Sequence, residues 1–275
     1  MTCDSCVQTV KRVLDQIPGD KILDYPTELI IKSLFTFNIH FVGINHFDID
    51  LKDQKVIVEG TAPPSVVSKK LKETGKTVIV RGQGSVQGQH AGAAVCIFED
   101  YTYTPDQSEQ IPRKPQGLVR LVQIDEENCL IDVTVQGISP GYHGIHIHEL
   151  GDISRGPAST GDHYNPDNVE HGNMETGHIG DLGNIYVDEN EWGDLVVESN
   201  RIKVWDVIGR SMVISCGKDD EGKGNNDQSK IDGNSGHGLI AGIIARSAGV
   251  FENMKKVCAC SGKTLWEEAR IKENL

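Results

Sequence analysis

The 275-residue chain is short of positive charge: 27 Lys and Arg stand against 40 Asp and Glu, a formal net charge of −13 at pH 7. Proteins that grip nucleic acid carry a basic face to neutralise phosphates, so no nucleic-acid partner is expected. No secretory leader is expected either. Met1 is followed at once by Thr-Cys-Asp-Ser-Cys, and a cytoplasmic location is expected. Long apolar runs are absent: the stretch from Leu29 to Ile44 is broken by Lys32, Asn38 and His40. It is too short and too polar to cross a bilayer, so no membrane insertion is expected. Nor is there an even set of cysteines. Seven are present, so they cannot all pair within one chain. Without a leader, closely spaced thiols read as metal or redox groups before structural disulfides.

What is present starts with those thiols. Cys3/Cys6 and Cys258/Cys260 form two tight pairs at opposite ends. Cys96, Cys129 and Cys216 lie singly in apolar, strand-like runs and are expected to be buried and inert. After Cys6 the spacing of Val7, Val10, Leu14 and Ile17 predicts a helix that Pro18-Gly19 ends. "HFDIDL" and "KVIVEG" read as strands, "APPSVVSKKLKETG" as a proline-started helix and "KTVIV" as a strand. The order α-β-β-α-β lacks only a strand ahead of Cys3 to make a ferredoxin-like βαββαβ module. The Gly/Gln-rich joint "RGQGSVQGQHAGAA" carries the boundary. It divides a module over 1–82 from a second domain over 83–250, with a tail over 251–275. In the second domain eight short strand patterns, from "AAVCIFE" to "LIAGIIA", predict an all-β sandwich or barrel. The stretch from Leu150 to Leu182 has no strand pattern, and a loop that long is usually functional or pinned.

Histidines dominate this region. His146 and His148 are two apart on a strand and share a face, whereas His143 has the opposite parity and is expected to support them. The loop adds His163, His171, His178 and Asp181, and three imidazoles with a carboxylate make a tetrahedral zinc set. "GIHIHELGD", "DHYNPD…EHG…GDLGN", "VWDVIGRS" and "GNSG" follow in order the motifs of copper/zinc superoxide dismutase, which this domain resembles. The resemblance implies an eight-stranded Greek-key barrel that pairs through one face. It implies structural zinc on His163, His171, His178 and Asp181, and a copper site on His146, His148 and a bridging His163. It further implies that Asp219 ties the two sites together. Gly151, Asp152, Ile208 and Gly209 match dimer-face positions.

Four departures argue against turnover. Ser215 stands where the resemblance implies the fourth copper histidine, and Cys216, next along the strand, faces the other way. Gly238 replaces the guiding arginine, and Pro157 and Ala241 replace the disulfide pair. Copper left with fewer nitrogens is weakly held, so the copper site is expected to be vestigial.

The thiol pairs suggest another use. Two soft sulfurs at a helix N-terminus suit Cu(I), although a lone Cys-x-x-Cys also fits a redox pair or incidental thiols. Cys258 and Cys260, one residue apart, are poorly placed for an internal disulfide and stay available to metal or to a partner's cysteine. A Met-x-Cys-x-x-Cys module, a dismutase-like barrel and a Cys-x-Cys tail together resemble the copper chaperones for superoxide dismutase. The resemblance implies Cu(I) as cargo on Cys3, Cys6, Cys258 and Cys260, and no enzymatic turnover. It implies delivery to copper/zinc superoxide dismutase by heterodimer docking, with help in forming the target's disulfide. A homodimer and a copper importer as metal source are open expectations. Residues 20–43 have no counterpart in that pattern. With the missing first strand, they are expected to reflect a mis-assigned start and a retained intron, which sequencing the transcript would test.

Overall fold

The computed structural model describes residues 4–14, 27–32, 44–50, 55–60, 62–76, 78, 80, 82–85, 92–98 and 115–247. The first part contains α1 (Asp4–Leu14), β1 (Thr27–Lys32), β2 (Ile44–Asp50), β3 (Lys55–Gly60), α2 (Pro64–Lys72) and β4 (Gly82–Ser85). Helix α1 buries Val7, Val10 and Leu14, the face its spacing predicts. Proline opens α2, where its missing N–H costs nothing, and Val67 and Leu71 point inward. Val56 and Val58 of β3 meet these residues in one core.

The sheet runs β2-β3-β1-β4 with every pair antiparallel, as in a ferredoxin-like module. Its central slot is filled by β1, from within residues 20–43, paired from Thr27↔Gly60 to Lys32↔Lys55 and on its other edge from Thr27↔Ser85. The slot requires only a strand antiparallel to both neighbours, and here that strand follows α1 instead of preceding it. The last strand also differs from expectation. Val78 and Val80 of "KTVIV" are buried in the core, but the strand is Gly82–Ser85, inside the stretch read as a joint. The Val80 carbonyl accepts from Arg120 Nη2 at 3.0 Å, across the boundary with the barrel.

The barrel strands are β5 (Gly92–Phe98), β6 (Gln116–Gln123), β7 (Cys129–Gln136), β8 (Gly141–His148), β10 (Asp181–Val187), β11 (Trp192–Ser199), β12 (Ser211–Ser215) and β13 (Gly238–Ser247). Short β9 (Ser154–Pro157), α3 (Val204–Val207) and α4 (Asp227–Asp232) lie in the connections. The barrel closes in the order β10-β11-β7-β6-β5-β13-β12-β8. After the β5-β6-β7 meander, β8 leaves its predecessor to pair with β10 and β12, which gives Greek-key connectivity. Alternate residues such as Ile131, Val133, Ile145, Ile147, Met212 and Ile214 fill the interior.

Strand β7 is buried along its whole length, and the N-terminal part packs on the neighbouring strand β11. Ser65 N–H donates to Glu198 Oε1 at 2.9 Å, Lys72 pairs with Asp194, and Val196 joins the N-terminal core. Beneath them Arg120 Nε donates to buried Asp132 Oδ2 at 3.0 Å. A carboxylate there depends on its cation. Arg120→Met should cost about 3–5 kcal/mol in urea unfolding, while the double replacement Arg120→Met/Asp132→Leu should recover most of the loss. A double variant no better than the single one would show that the pair is not what holds this face.

Candidate metal centre

Strand β8 sets the centre's floor. Ile145 and Ile147 point into the barrel, so His146 and His148 point outward, beneath the loop between β9 and β10. His146 Nε2 faces Asp219 Oδ2 at 3.0 Å, and His171 Nε2 faces Asp219 Oδ1 at 2.8 Å. His148 Nδ1 donates to Gly161 O at 2.8 Å. In each case one ring nitrogen is committed and the other left as a possible ligand.

The other nitrogens converge. His163 Nδ1 lies 2.9 Å and His178 Nδ1 3.3 Å from Asp181 Oδ1, and His171 Nδ1 lies 3.0 Å from Asp181 Oδ2. The His163 ring stacks on His146 at 3.9 Å between centroids. Buried Nδ1 atoms of His146, His171 and His178 have no hydrogen-bond partner; His171 sits close to its carboxylate but out of line with it. Nitrogens orphaned around a carboxylate fit a cation better than they fit one another. His146, His163, His171 and Asp181 also form a quartet with ligand atoms within 4.8 Å of one another. The carboxylate contacts favour the set with His178, because His146 touches Asp219 and not Asp181.

The charges agree with this geometry. Burial, then the charge of His163, holds His148 down to about 4, and burial with the charge of His146 holds His163 at about 4. Burial opposes charge on His171 as well, but the nearby Asp181 carboxylate and the bond to Asp219 outweigh it and lift the ring to about 9. Against its own burial Asp181 is held far below the carboxylate range by three histidines, and Asp219 is held at about 2 by His146 and His171.

Several contributors escape sequence reasoning. Asn184 accepts from Asp219 N–H at 2.8 Å and donates to Asp219 O at 2.9 Å, so it fixes the backbone that presents the carboxylate. Gly233 adopts φ +68°, and a Cβ there would lie 2.0 Å from Asp219 Oδ1. The "GDLGN" and "GNSG" motifs carry both residues. Their roles depend on contacts with Asp219, which lies 35 positions from Asn184 and 14 from Gly233.

A family model described as copper/zinc superoxide dismutase matches residues 115–244. The human protein named copper chaperone for superoxide dismutase is 40% identical over 270 residues, 98% of this chain and 86% of its own length. A Saccharomyces cerevisiae protein named superoxide dismutase 1 copper chaperone is 34% identical over 272 residues, covering 98% and 91%. The chain belongs to the copper chaperones for superoxide dismutase. Among solved structures, the crystal structure of the clock protein EA4 superposes with a TM-score of 0.50 at 29% identity, covering 57% of this chain and 96% of that one.

Within this copper chaperone Ser215 lies on the His146 side of β12, in line with Val213, which pairs with His146. Its hydroxyl accepts from Ser235 Oγ at 3.2 Å, and its carbonyl lies 2.9 Å from His143 Nδ1. Cys96 and Cys129 are buried, and burial pushes the Cys129 thiol up to about 12. Cys216 departs from the expectation of burial: it is only partly buried, because β12 ends at Ser215 after a register shift and the chain bends away. At the expected dimer face Gly151 packs on Gly209, where a Cβ would fall 2.1 Å from the Gly209 carbonyl oxygen. Asp152 Oδ1 accepts from Ser154 N–H at 2.8 Å, and Ile208 packs on the core. Cys3, Cys258 and Cys260 lie outside the described residues; for Cys6 only the helical backbone is described. Among the described residues no helix is long and apolar enough to cross a membrane.

Gly238 has a role of its own. A Cβ at this position would lie 2.4 Å from Pro157 Cβ and 2.7 Å from Val213 Cγ1. An arginine there is blocked by packing. Gly238→Ala should cost about 1–3 kcal/mol in urea unfolding, and Pro157→Gly should relieve part of that cost in the double variant. Strictly additive losses would refute the interlock.

Proposed function

We propose that the chain carries Cu(I) on Cys3 and Cys6 of a module over 1–82 and hands it to copper/zinc superoxide dismutase through Cys258 and Cys260 in a tail over 251–275. The barrel over 83–250 docks on the dismutase as a heterodimer through the face holding Gly151, Asp152, Ile208 and Gly209. The tail thiols then assist formation of the target's disulfide. The observation that carries this reading is kinship along nearly the whole chain with copper chaperones. A soluble, cytoplasmic setting fits such a role, and the same face also suits a homodimer in the resting state.

In this reading His163, His171, His178 and Asp181 hold structural zinc, which when bound would neutralise Asp181 and pin the loop. The three nitrogens within 3.3 Å of one carboxylate support that choice. His146, His148 and His163 remain as a vestigial copper site. Its missing ligand is replaced by a hydroxyl, a hard neutral donor already bonded to Ser235. Ser215→His should tighten Cu(II) binding and give slight dismutase activity, with the blocked Gly238 mouth limiting the gain.

Mixing the Cu(I)-loaded chain with copper-free, disulfide-reduced dismutase should raise dismutase activity and give a complex of the two proteins. A chain that binds Cu(I) but neither associates nor activates would be a copper buffer. Turnover of superoxide by the unmodified chain would make it an enzyme. Either result overturns the proposal.

A further inference from the structure

Arg201 lies in the connection between β11 and β12, where Ser199 Oγ accepts from the N–H groups of Arg201 and Ile202, both at 3.2 Å. Its guanidinium reaches across to the loop that carries His171, His178 and Asp181. Nη1 donates to Met174 O at 3.2 Å and Nη2 to Gly177 O at 2.8 Å. Both carbonyls belong to one turn: Asn173 O accepts from Gly177 N–H at 2.8 Å, and Asn173 Oδ1 accepts from Glu175 and Thr176 N–H at 2.9 and 3.0 Å.

The peptide that follows is held at both edges. Its carbonyl, on Gly177, accepts from Arg201, and its N–H, on His178, donates to Asp181 Oδ2 at 2.8 Å. In a trans peptide the C=O and N–H point in opposite directions. A cation therefore sits at the oxygen end of this peptide dipole and an anion at the hydrogen end, and each strengthens the other's hydrogen bond. Gly177 is pressed so closely on the carboxylate that a Cβ would lie 2.4 Å from Asp181 Oδ2, so no larger residue fits between the peptide and Asp181.

We infer that Arg201 is a positioning residue for the metal centre, holding the Gly177–His178 peptide and through it the Asp181 carboxylate in the orientation that receives the ion. The inference rests on the zinc reading above. It assigns to Arg201 control over how long the metal stays, distinct from general support of the barrel.

The test is the rate at which the zinc-loaded full chain releases zinc to an excess of a chromogenic chelator. Arg201→Gln should release it roughly tenfold faster, the low end of the effect of outer-shell partners, because the guanidinium holds backbone and not a ligand. Arg201→Lys should fall between, since a single ammonium cannot span two carbonyls as the planar fork does. Ile185→Val, a core change chosen to lower melting comparably, should leave the release rate unchanged. Replacing zinc by Co(II) should give an altered ligand-field spectrum in Arg201→Gln alone. Release from Arg201→Gln at the wild-type rate, or equal acceleration by Ile185→Val, overturns the positioning role. A wild-type chain that retains no zinc overturns the zinc reading, and this inference with it.

Discussion

Asp181→Ala should give a chain that keeps no zinc through gel filtration and unfolds in markedly less urea. Asp181 is fully buried and accepts from His163 Nδ1 at 2.9 Å, Gly172 N–H at 3.1 Å and His178 N–H at 2.8 Å. Its removal strands these donors in a site closed to water, each at a cost of about 1–3 kcal/mol, so a total loss of roughly 3–5 kcal/mol is expected even without metal. Asp181→Asn keeps the shape but loses the charge, and should stand between the two in stability while still failing to hold zinc. An Asp181→Ala chain with one bound zinc and unchanged melting would remove this carboxylate from the centre.

Cys258→Ser/Cys260→Ser should abolish activation of copper-free, reduced dismutase even in excess Cu(I), leaving only the activity the dismutase reaches with copper alone. A serine hydroxyl neither binds Cu(I) well nor exchanges with a partner's thiol, so both proposed tasks of the tail fail together. Cys3→Ser/Cys6→Ser should behave differently, with near-full activation when copper is plentiful and a deficit only when it is scarce. Full activation by the tail variant would take these thiols out of the mechanism.

The barrel is largely legible in the sequence, because apolar residues alternate with polar ones along strands such as "CLIDVTVQ" and "GYHGIHIH", even where, as in β7, both faces end up covered. The centre was legible for a related reason. His146, His148, His163, His171, His178 and Asp181 are residues with little other reason to crowd one region, and the structure gathers all six. The N-terminal sheet was harder to read. Nothing local in Thr27–Lys32 says that it pairs with Lys55–Gly60 and Gly82–Ser85. A Gly/Gln stretch can serve as an edge strand with its backbone alone, whereas "KTVIV", which looks like a strand, gives the Val80 carbonyl to Arg120. Gly238 misled more subtly: the sequence shows a lost arginine, but only packing shows that Pro157 has taken its space.

That interlock bears on how the barrel matures. Where the dismutase pattern would tie β9 to β13 with sulfur, this chain sets a proline ring against a bare Cα, and Cys96, Cys129 and Cys216 are all free thiols. A clasp made of shape has no oxidation state. The described barrel can therefore close as soon as it is synthesised, without oxygen, an oxidase or a waiting period in a reducing compartment. A protein proposed to install a disulfide in its client would then need none in the part that holds the client.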